Sequence, residues 1–397
     1  MKILINDYAG HSFTIQLARE LVKDTNISVV YCYFSSDISP KGNLSDKNDG
    51  LKVMPIWIDE KFEKYVFFKR RRQELQFGKK LKQVIKLERP DIVVSANTPL
   101  EVNAQIQKIC LSEDIKFIFW LQDIISFAAK KILNDKFGVL ASPVIRYYSY
   151  LERQMAKRSD HVIGISKQFT DVLLSWGVNS SNITLLKNWS DTSSILPVEK
   201  ENSWSIKHGL QDKFCLMYSG TLGLKHNPNL FIKLSKEFAQ DKNLIIVVIT
   251  EGVGAEIIDL FIKRDKPENI ILLPYQPIDI LSEVLSSGDI LLAILEESAS
   301  AYSVPSKILS YMCVGRPILA SIPNDNLSHQ IIKESNCGFC VKPNDNKAMI
   351  AYIKTLKLND NLRRELGKNG LLYARENFKI GDIVKKFLEI CALKKVK

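Results

Sequence analysis

Short apolar runs alternate with longer amphipathic stretches along nearly all of this chain, and that alternation limits its fold more than any other feature. Lys2–Asn6, Ile27–Phe34, Leu51–Ile58, Asp91–Asn97, Lys116–Gln122, Ser159–Ser166 and Ile183–Lys187 read as strands in the first half. Phe214–Ser219, Leu244–Thr250, Ile270–Leu273, Asp289–Leu295 and Ile318–Ile322 continue the scheme in the second. Apolar strands that alternate with helices belong to parallel sheets covered on both faces. The pattern lapses between Ser190 and Asn202, around Pro197, which places a domain boundary there. A chain of 397 residues exceeds what one core usually serves, and 46% hydrophobic content is ample for two. The expected class is α/β, in two parallel-sheet domains.

The net charge of +11 calls for an anionic partner: nucleic acid, a lipid surface or a phosphorylated substrate. The excess concentrates in Lys61–Arg89, where eleven basic residues meet only Glu63, Glu74 and Glu88. Phe62, Tyr65, Val66, Phe67 and Phe68 interleave with its first half. A basic helix of this kind, with Lys69, Arg70, Arg71 and Arg72 at its centre, suits an anionic bilayer surface. The plainer reading is a solvated helix whose aromatics pack on the sheet. No nucleic-acid recognition module is legible around the charge, so nucleic acid is not expected. Seven scattered cysteines point to a reducing compartment, not a disulfide framework. The first strand turns polar too soon for a signal peptide, and no apolar run reaches the ~18 residues of a span. A cytoplasmic or membrane-peripheral protein is expected.

Two strand ends in the second half carry the chemistry of phosphate binding. Asp289–Leu295 opens into a polar loop with Glu296 and Glu297, after which Pro305 suits the first position of a helix bearing Ser306 and Lys307. N–H groups, a hydroxyl and an ammonium at a positive helix end suit an anion. Gly220-Thr221-Leu222-Gly223, with Lys225 close behind, follows the strand Phe214–Ser219. Its glycines let backbone N–H groups approach an anion, although it lacks the spacing of a Walker loop. Asn227 reads as the N-cap of the next helix, with Pro228 at its first position. Two such ends in one domain suggest a diphosphate held between them. Plainer readings stand beside these: Lys307 can point into water, and Asp123 suits capping the helix that follows it. His161 and His208 read as structural. Cys337-Gly-Phe-Cys340 has redox spacing but no second pair for zinc, and reads as packing thiols. No Ser nucleophile sits in an elbow with His161, so a hydrolase triad is not supported.

The series Tyr-Ser-Gly-Thr-Leu-Gly-Leu-Lys (218–225), Tyr275-Gln276-Pro277, Val-Pro-Ser-Lys-Ile-Leu-Ser-Tyr-Met (304–312) and Gly315-Arg-Pro-Ile-Leu319 resembles the retaining nucleotide-sugar glycosyltransferases of family 4. Within them it is similar to bacterial enzymes of O-antigen, capsule and exopolysaccharide assembly, including the fucosaminyltransferase-like group. Trp120-Leu-Gln-Asp123, Ser159–Ser166 and Asn188-Trp-Ser-Asp191 extend the resemblance over most of the chain. It implies a GT-B fold, two Rossmann-like domains facing across a cleft. Residues 1–192 would form an acceptor-binding domain completed by a last helix within 380–397, and 193–379 a nucleotide-sugar-binding domain. Lys225 and the Gly220–Gly223 backbone, with Thr221, would hold the diphosphate, supported by Ser306 and Lys307. Backbone near Tyr275 and Gln276 would meet the base, with Glu251 in the neighbouring loop. Gly10 and His11 would approach the sugar or diphosphate, and Asp123 would lie near the reacting centre or acceptor. No metal or other cofactor is implied.

One departure from the family matters. The family commonly carries two glutamates separated by seven residues, where this chain has Tyr302 and Ser310. Glu296 or Glu297 takes the first one's place at the transferred sugar in this reading, and the Ser310 hydroxyl is left for the ribose. The expected activity is transfer of a sugar, such as N-acetylfucosamine, from a UDP-linked donor to a polyprenyl-diphosphate-linked glycan, at the inner face of the cytoplasmic membrane. Two rivals stay open: a GT-B sugar-nucleotide epimerase, and a non-catalytic sugar-nucleotide-binding partner of a transferase.

Overall fold

The structure, a computed structural model, describes residues 1–37, 41–42, 44, 49–64, 66–127, 130, 133, 138–223, 226–297 and 306–395. The chain divides into two units, Met1–Asn188 with Ile380–Lys397, and Trp189–Lys379. The division thus falls four residues before the expected 192/193 boundary.

The first unit is built on seven strands: β1 (Lys2–Asp7), β2 (Ser28–Phe34), β3 (Leu51–Ile56), β4 (Ile92–Ala96), β5 (Lys116–Leu121), β6 (His161–Gly164) and β7 (Ile183–Leu185). All pairs are parallel, in the order β3-β2-β1-β4-β5-β6-β7. Every residue of β4 and β5 is buried, as central parallel strands require. Chain direction across the sheet reverses between β1 and β4, so the loops after these strands open a crevice at their carboxyl ends. Helix Phe67–Glu88 buries Gln73, Phe77, Leu81 and Ile85, one residue per turn, against this sheet. It starts at Phe67, not at Lys61. Gln73 explains the difference: its buried amide accepts from Glu63 N at 2.9 Å and donates to Lys61 O at 2.7 Å. Those backbone groups are satisfied without a helix.

Helix Ile380–Ala392 completes the first unit from the far end of the chain, packing on helix Ser12–Leu21. Phe387 lies 6.2 Å from Trp120, ring to ring. The buried Lys116 Nζ donates to the carbonyls of Ile390 (2.8 Å), Cys391 (3.0 Å) and Leu393 (2.7 Å). An ammonium at the negative end of a helix satisfies its orphan carbonyls.

The second unit carries six parallel strands: β8 (Phe214–Ser219), β9 (Leu244–Ile249), β10 (Ile270–Leu273), β11 (Ile290–Ile294), β12 (Ile318–Ser321) and β13 (Gly338–Val341). Their order is β10-β9-β8-β11-β12-β13, which puts the reversal between β8 and β11. Leu216, Tyr218, Phe231, Ile246 and Leu292 lie in its core. Cys337 and Cys340 are packing thiols as read, and they stand at the approach to and within β13, a strand the sequence reading did not name. A Cβ on Gly338 would stand 1.8 Å from Ile318 O, so only glycine lets β13 pair here. All seven cysteines are unpaired thiols. The helix after β8 runs Asn229–Glu237 with Pro228 as its cap, one position later than expected, while Asn227 Oδ1 accepts from Asn229 N at 3.1 Å.

Candidate functional site

In the second unit the predicted residues gather where the sheet reverses. Strand β8 delivers Ser219, which Tyr311 clamps: the Tyr311 hydroxyl accepts from Ser219 N at 3.0 Å and donates to Ser219 O at 3.1 Å. Gly220 follows with φ +136°, a conformation closed to other residues without strain. A Cβ there would also meet Lys307 Cε at 3.1 Å and Nζ at 3.2 Å. The glycine therefore makes room for the ammonium of Lys307, the first residue of the short helix Lys307–Cys313.

Lys307 does not point into water. Its Nζ donates to the Tyr218 hydroxyl and lies 3.7 Å from the centre of the Tyr218 ring. No ion pair joins it to a carboxylate among the described residues. Desolvation alone pushes its pKa well below the ordinary lysine range. The Tyr218 hydroxyl donates onward to Thr221 O at 2.8 Å, and Thr221 Oγ1 meets the Tyr275 hydroxyl at 3.0 Å. Glu251 Oε1 accepts from Tyr275 N at 3.2 Å. Four predicted residues, Lys307, Thr221, Tyr275 and Glu251, thus belong to one hydrogen-bonded chain around Gly220. Gly223 N donates to His226 Nδ1 at 3.1 Å.

The Gln276 side chain accepts at its Oε1 from Trp204 Nε1 at 3.0 Å. Ser310 Oγ pairs with Ser190 Oγ at 3.1 Å. Ser306 and Glu297 are exposed and Glu296 is half-buried. Lys225, Tyr302 and Pro305 lie outside the described residues.

In the first unit the corresponding reversal gathers a set that the sequence only half revealed. Asp7, fully buried at the end of β1, accepts from His11 N (2.9 Å), Thr14 Oγ1 (2.6 Å), Ala9 N (3.2 Å) and Asn97 Nδ2 (2.9 Å). Its carboxylate also faces His11 Nδ1 at 3.2 Å. Burial would raise the Asp7 pKa, but the charge and hydrogen bonds of His11, with Thr14, bring it down to about 2. Burial would likewise lower His11, and Asp7, with a further contribution from Asp123, raises it above its usual value. Gly10, at φ +71°, turns the loop so that His11 can reach back. Asn97 takes φ +51° just beyond β4. Asp7 and Asn97 were missed because each sits in an unremarked polar step after a strand; their meeting depends on β1 and β4 being neighbours.

Asp123, exposed just beyond β5, lines a pocket of about 70 Å³ with Asn97, Thr98, Trp120, Gln122 and Ile125. Behind it stands a second missed residue. Glu152, fully buried, accepts from Ile125 N at 2.8 Å, from Ser126 N at 3.0 Å and from the Ser126 hydroxyl. His161 and His208 are structural as read: His161 Nε2 meets Thr184 Oγ1 at 2.8 Å, and His208 Nδ1 meets Trp204 O at 2.7 Å.

The four central residues of the basic helix are paired with acids: Lys69 with Glu63, Arg70 with Glu74, Arg71 with Glu101 through two bonds of 2.8 Å, and Arg72 with Glu60. The aromatics before them are what the surface presents. Phe68 is 81% exposed, Val66 53% and Phe67 50%. Among the described residues no group of His, Cys, Asp or Glu is placed to hold a metal ion, and no helix is long and apolar enough to cross a membrane.

Comparison with known proteins agrees with this architecture. The chain is 23% identical over 207 residues to an Escherichia coli K12 protein named as a colanic acid biosynthesis glycosyl transferase, WcaI, covering 51% of each. It is 23% identical over 248 residues to an uncharacterized glycosyltransferase of Methanocaldococcus jannaschii, covering 62% of this chain and 61% of that one. The chain thus matches about half to three fifths of the length of these relatives. Anabaena HepE in complex with UDP-glucose superposes with a TM-score of 0.72 at 14% identity, over 99% of each chain. WaaG, a glycosyltransferase involved in lipopolysaccharide biosynthesis, superposes with a TM-score of 0.70 at 12% identity, over 99% of this chain and 100% of that one. At such identities the structures speak for the fold alone. Residues 11–194 match Glycosyltransferase Family 4 and residues 200–372 match Glycosyl transferases group 1. With those two domains in that order, each on a doubly wound parallel sheet, the chain belongs to the glycosyltransferases of GT-B fold.

Proposed function

We propose that the protein is a retaining glycosyltransferase that moves a sugar from a UDP-linked donor to a glycan carried on polyprenyl diphosphate, in the assembly of a bacterial surface polysaccharide such as O-antigen or capsule. The observation that carries the donor half is the Lys307 ammonium above Gly220, desolvated and without a carboxylate partner among the described residues. An enclosed cation of this kind is costly unless a ligand supplies the opposite charge, and a nucleotide diphosphate does so. In transfer the diphosphate departs, and a cation already fixed beside it stabilises the charge as it develops. This needs no metal and no organic cofactor. Lys225 adds a second positive charge in this reading, while Glu296, Glu297 and Tyr302 serve the transferred sugar. In the first unit His11, its pKa raised by Asp7, donates to an oxygen of the sugar or diphosphate, with Gly10 beside it. Asp123 serves the acceptor.

The UDP assignment draws support from HepE, whose structures hold UDP and UDP-glucose. The polysaccharide assignment draws it from the relatives named for colanic acid and lipopolysaccharide biosynthesis. Retention of configuration, the polyprenyl carrier and a deoxyhexosamine such as N-acetylfucosamine rest on the motif resemblance. Exposed Val66, Phe67 and Phe68 support docking on an anionic inner-leaflet surface.

Thermal unfolding with UDP, GDP, dTDP and their sugars, on wild type and Lys307→Met, tests the donor site. A ligand at one hundred times its dissociation constant adds about 2.7 kcal/mol. UDP and at least one UDP-sugar are expected to stabilise wild type and not the variant. The empty variant is expected to melt no lower than wild type, since it has lost a desolvated charge that no described carboxylate offsets. A wild type that no nucleotide stabilises would overturn the proposal.

A further inference from the structure

A helix starts at Ile125, two residues after Asp123. Its first two N–H groups end on Glu152, which arrives on the separate helix Ser142–Arg158. Both carboxylate oxygens are used: Oε1 by Ile125 N, Oε2 by Ser126 N and the Ser126 hydroxyl. Glu152 and Ser126 are buried, and among the described residues the charged group that bears on Glu152 is Asp123, an anion. Burial pushes the Glu152 carboxyl up to about 7. A buried carboxylate without a cation is a poor device for stability alone. What it does offer is geometry. Two fixed acceptors set the direction and rotation of the helix start, whereas a glutamine would offer one acceptor and set a donor against the other N–H.

Asp123 is one residue from the cap position of that helix, and it lines its pocket together with Ile125, one of the two residues Glu152 holds. We propose that Glu152 is a positioning residue, which fixes where the Asp123 carboxylate stands at the carboxyl edge of the first sheet by capping the helix that follows it. Its bearing on transfer rests on the reading of Asp123 as the acceptor-side group. The placement itself does not.

The test uses the full chain and needs no substrate. The His11 ring reports on Asp123, whose charge helps to hold it protonated. Its titration is followed by NMR in wild type, Asp123→Asn, Glu152→Gln and the double variant, alongside hydrogen exchange of the Ile125 and Ser126 amides. Glu152→Gln is expected to speed those two amides about tenfold or more, as loss of a buried charged acceptor should. It should also lower the His11 pKa, and add nothing once Asp123 is Asn. Unchanged exchange at Ile125 and Ser126 overturns the proposal. So does an equal fall of the His11 pKa with and without the Asp123 carboxylate, because Glu152 would then act by its own charge and not through Asp123. If Glu152→Gln does not fold, Ser126→Ala removes one donor and is read the same way: exchange at Ile125 that stays at the wild-type rate overturns the proposal. Failure of every nucleotide to stabilise the chain would remove the transferase reading and leave these NMR outcomes to decide the placement.

Discussion

The Asp7–His11 pair shows how one buried carboxylate can set the charge of a site. Asp7 is held at about 2, against 3.8 when free, so its contribution to stability is present above pH 3.8 and is lost as pH falls through 2. His11 is raised above 6.5, so its contribution is present below 6.5 and is lost as pH rises through its folded value. Both describe one interaction, worth about 2 kcal/mol by the Asp7 shift. Wild type should therefore exceed Asp7→Asn in stability by the widest margin between pH 4 and 6.5. Urea unfolding at pH 3, 5.5 and 9 measures this, and a margin that does not narrow at either extreme would contradict it. At this scale the sequence showed the residues that announce themselves, His11 beside a glycine and Lys307 at a helix start. It could not show Asp7 and Asn97, or Tyr218 and Tyr311, because each pair meets across strands or helices distant in the chain.

Whole elements were easier to read where burial is total. Strands β4, β5 and β11 stood out as largely apolar runs because both of their faces are covered. Strand β13 has only its last residue buried, so its pattern is too weak to separate from a loop, and the sequence reading missed it. The basic helix was placed correctly in kind and wrongly at its start, since no local rule foresees that Gln73 would satisfy the Lys61–Glu63 backbone. Its charges are also less available than their number suggested, each of the central four having an acid beside it. Exposed ion pairs contribute little to stability, but they reduce the net attraction to a bilayer. Insertion should then depend on the exposed rings. Phe67→Asp with Phe68→Asp should leave the melting temperature within about 2 °C, as exposed changes usually do. The same variant should lose binding to vesicles containing anionic lipid. Wild type that never floats with such vesicles would refute a membrane role.

At the scale of the molecule, the two units and their sheets follow from the repeated strand–helix pattern. The return of the last helix does not: only the family resemblance implied it, because by pattern helix Ile380–Ala392 looks like one more amphipathic segment of the second unit. Its buried Ile383, Phe387 and Ile390, and the three carbonyls that Lys116 reaches, belong to the first. A chain ending at Lys379 should therefore lose stability in the first unit, with its transition falling by roughly 10 °C or more, given three large apolar side chains removed. Stabilisation by UDP should survive, because Trp189–Lys379 remains whole. Calorimetry that finds both transitions unmoved would contradict this.

The same arrangement reverses the usual order of events during synthesis. A ribosome delivers β1 to β7 early, yet the helix that covers Trp120 emerges only after the whole of Trp189–Lys379 has been made. At 5–20 residues per second that interval lasts about 10–40 s. The half of the protein that is translated second can finish folding first, while the older half waits with an apolar face uncovered. For a nascent chain, exposure to chaperones and to aggregation persists in the first unit until that helix has emerged, long after its strands were made.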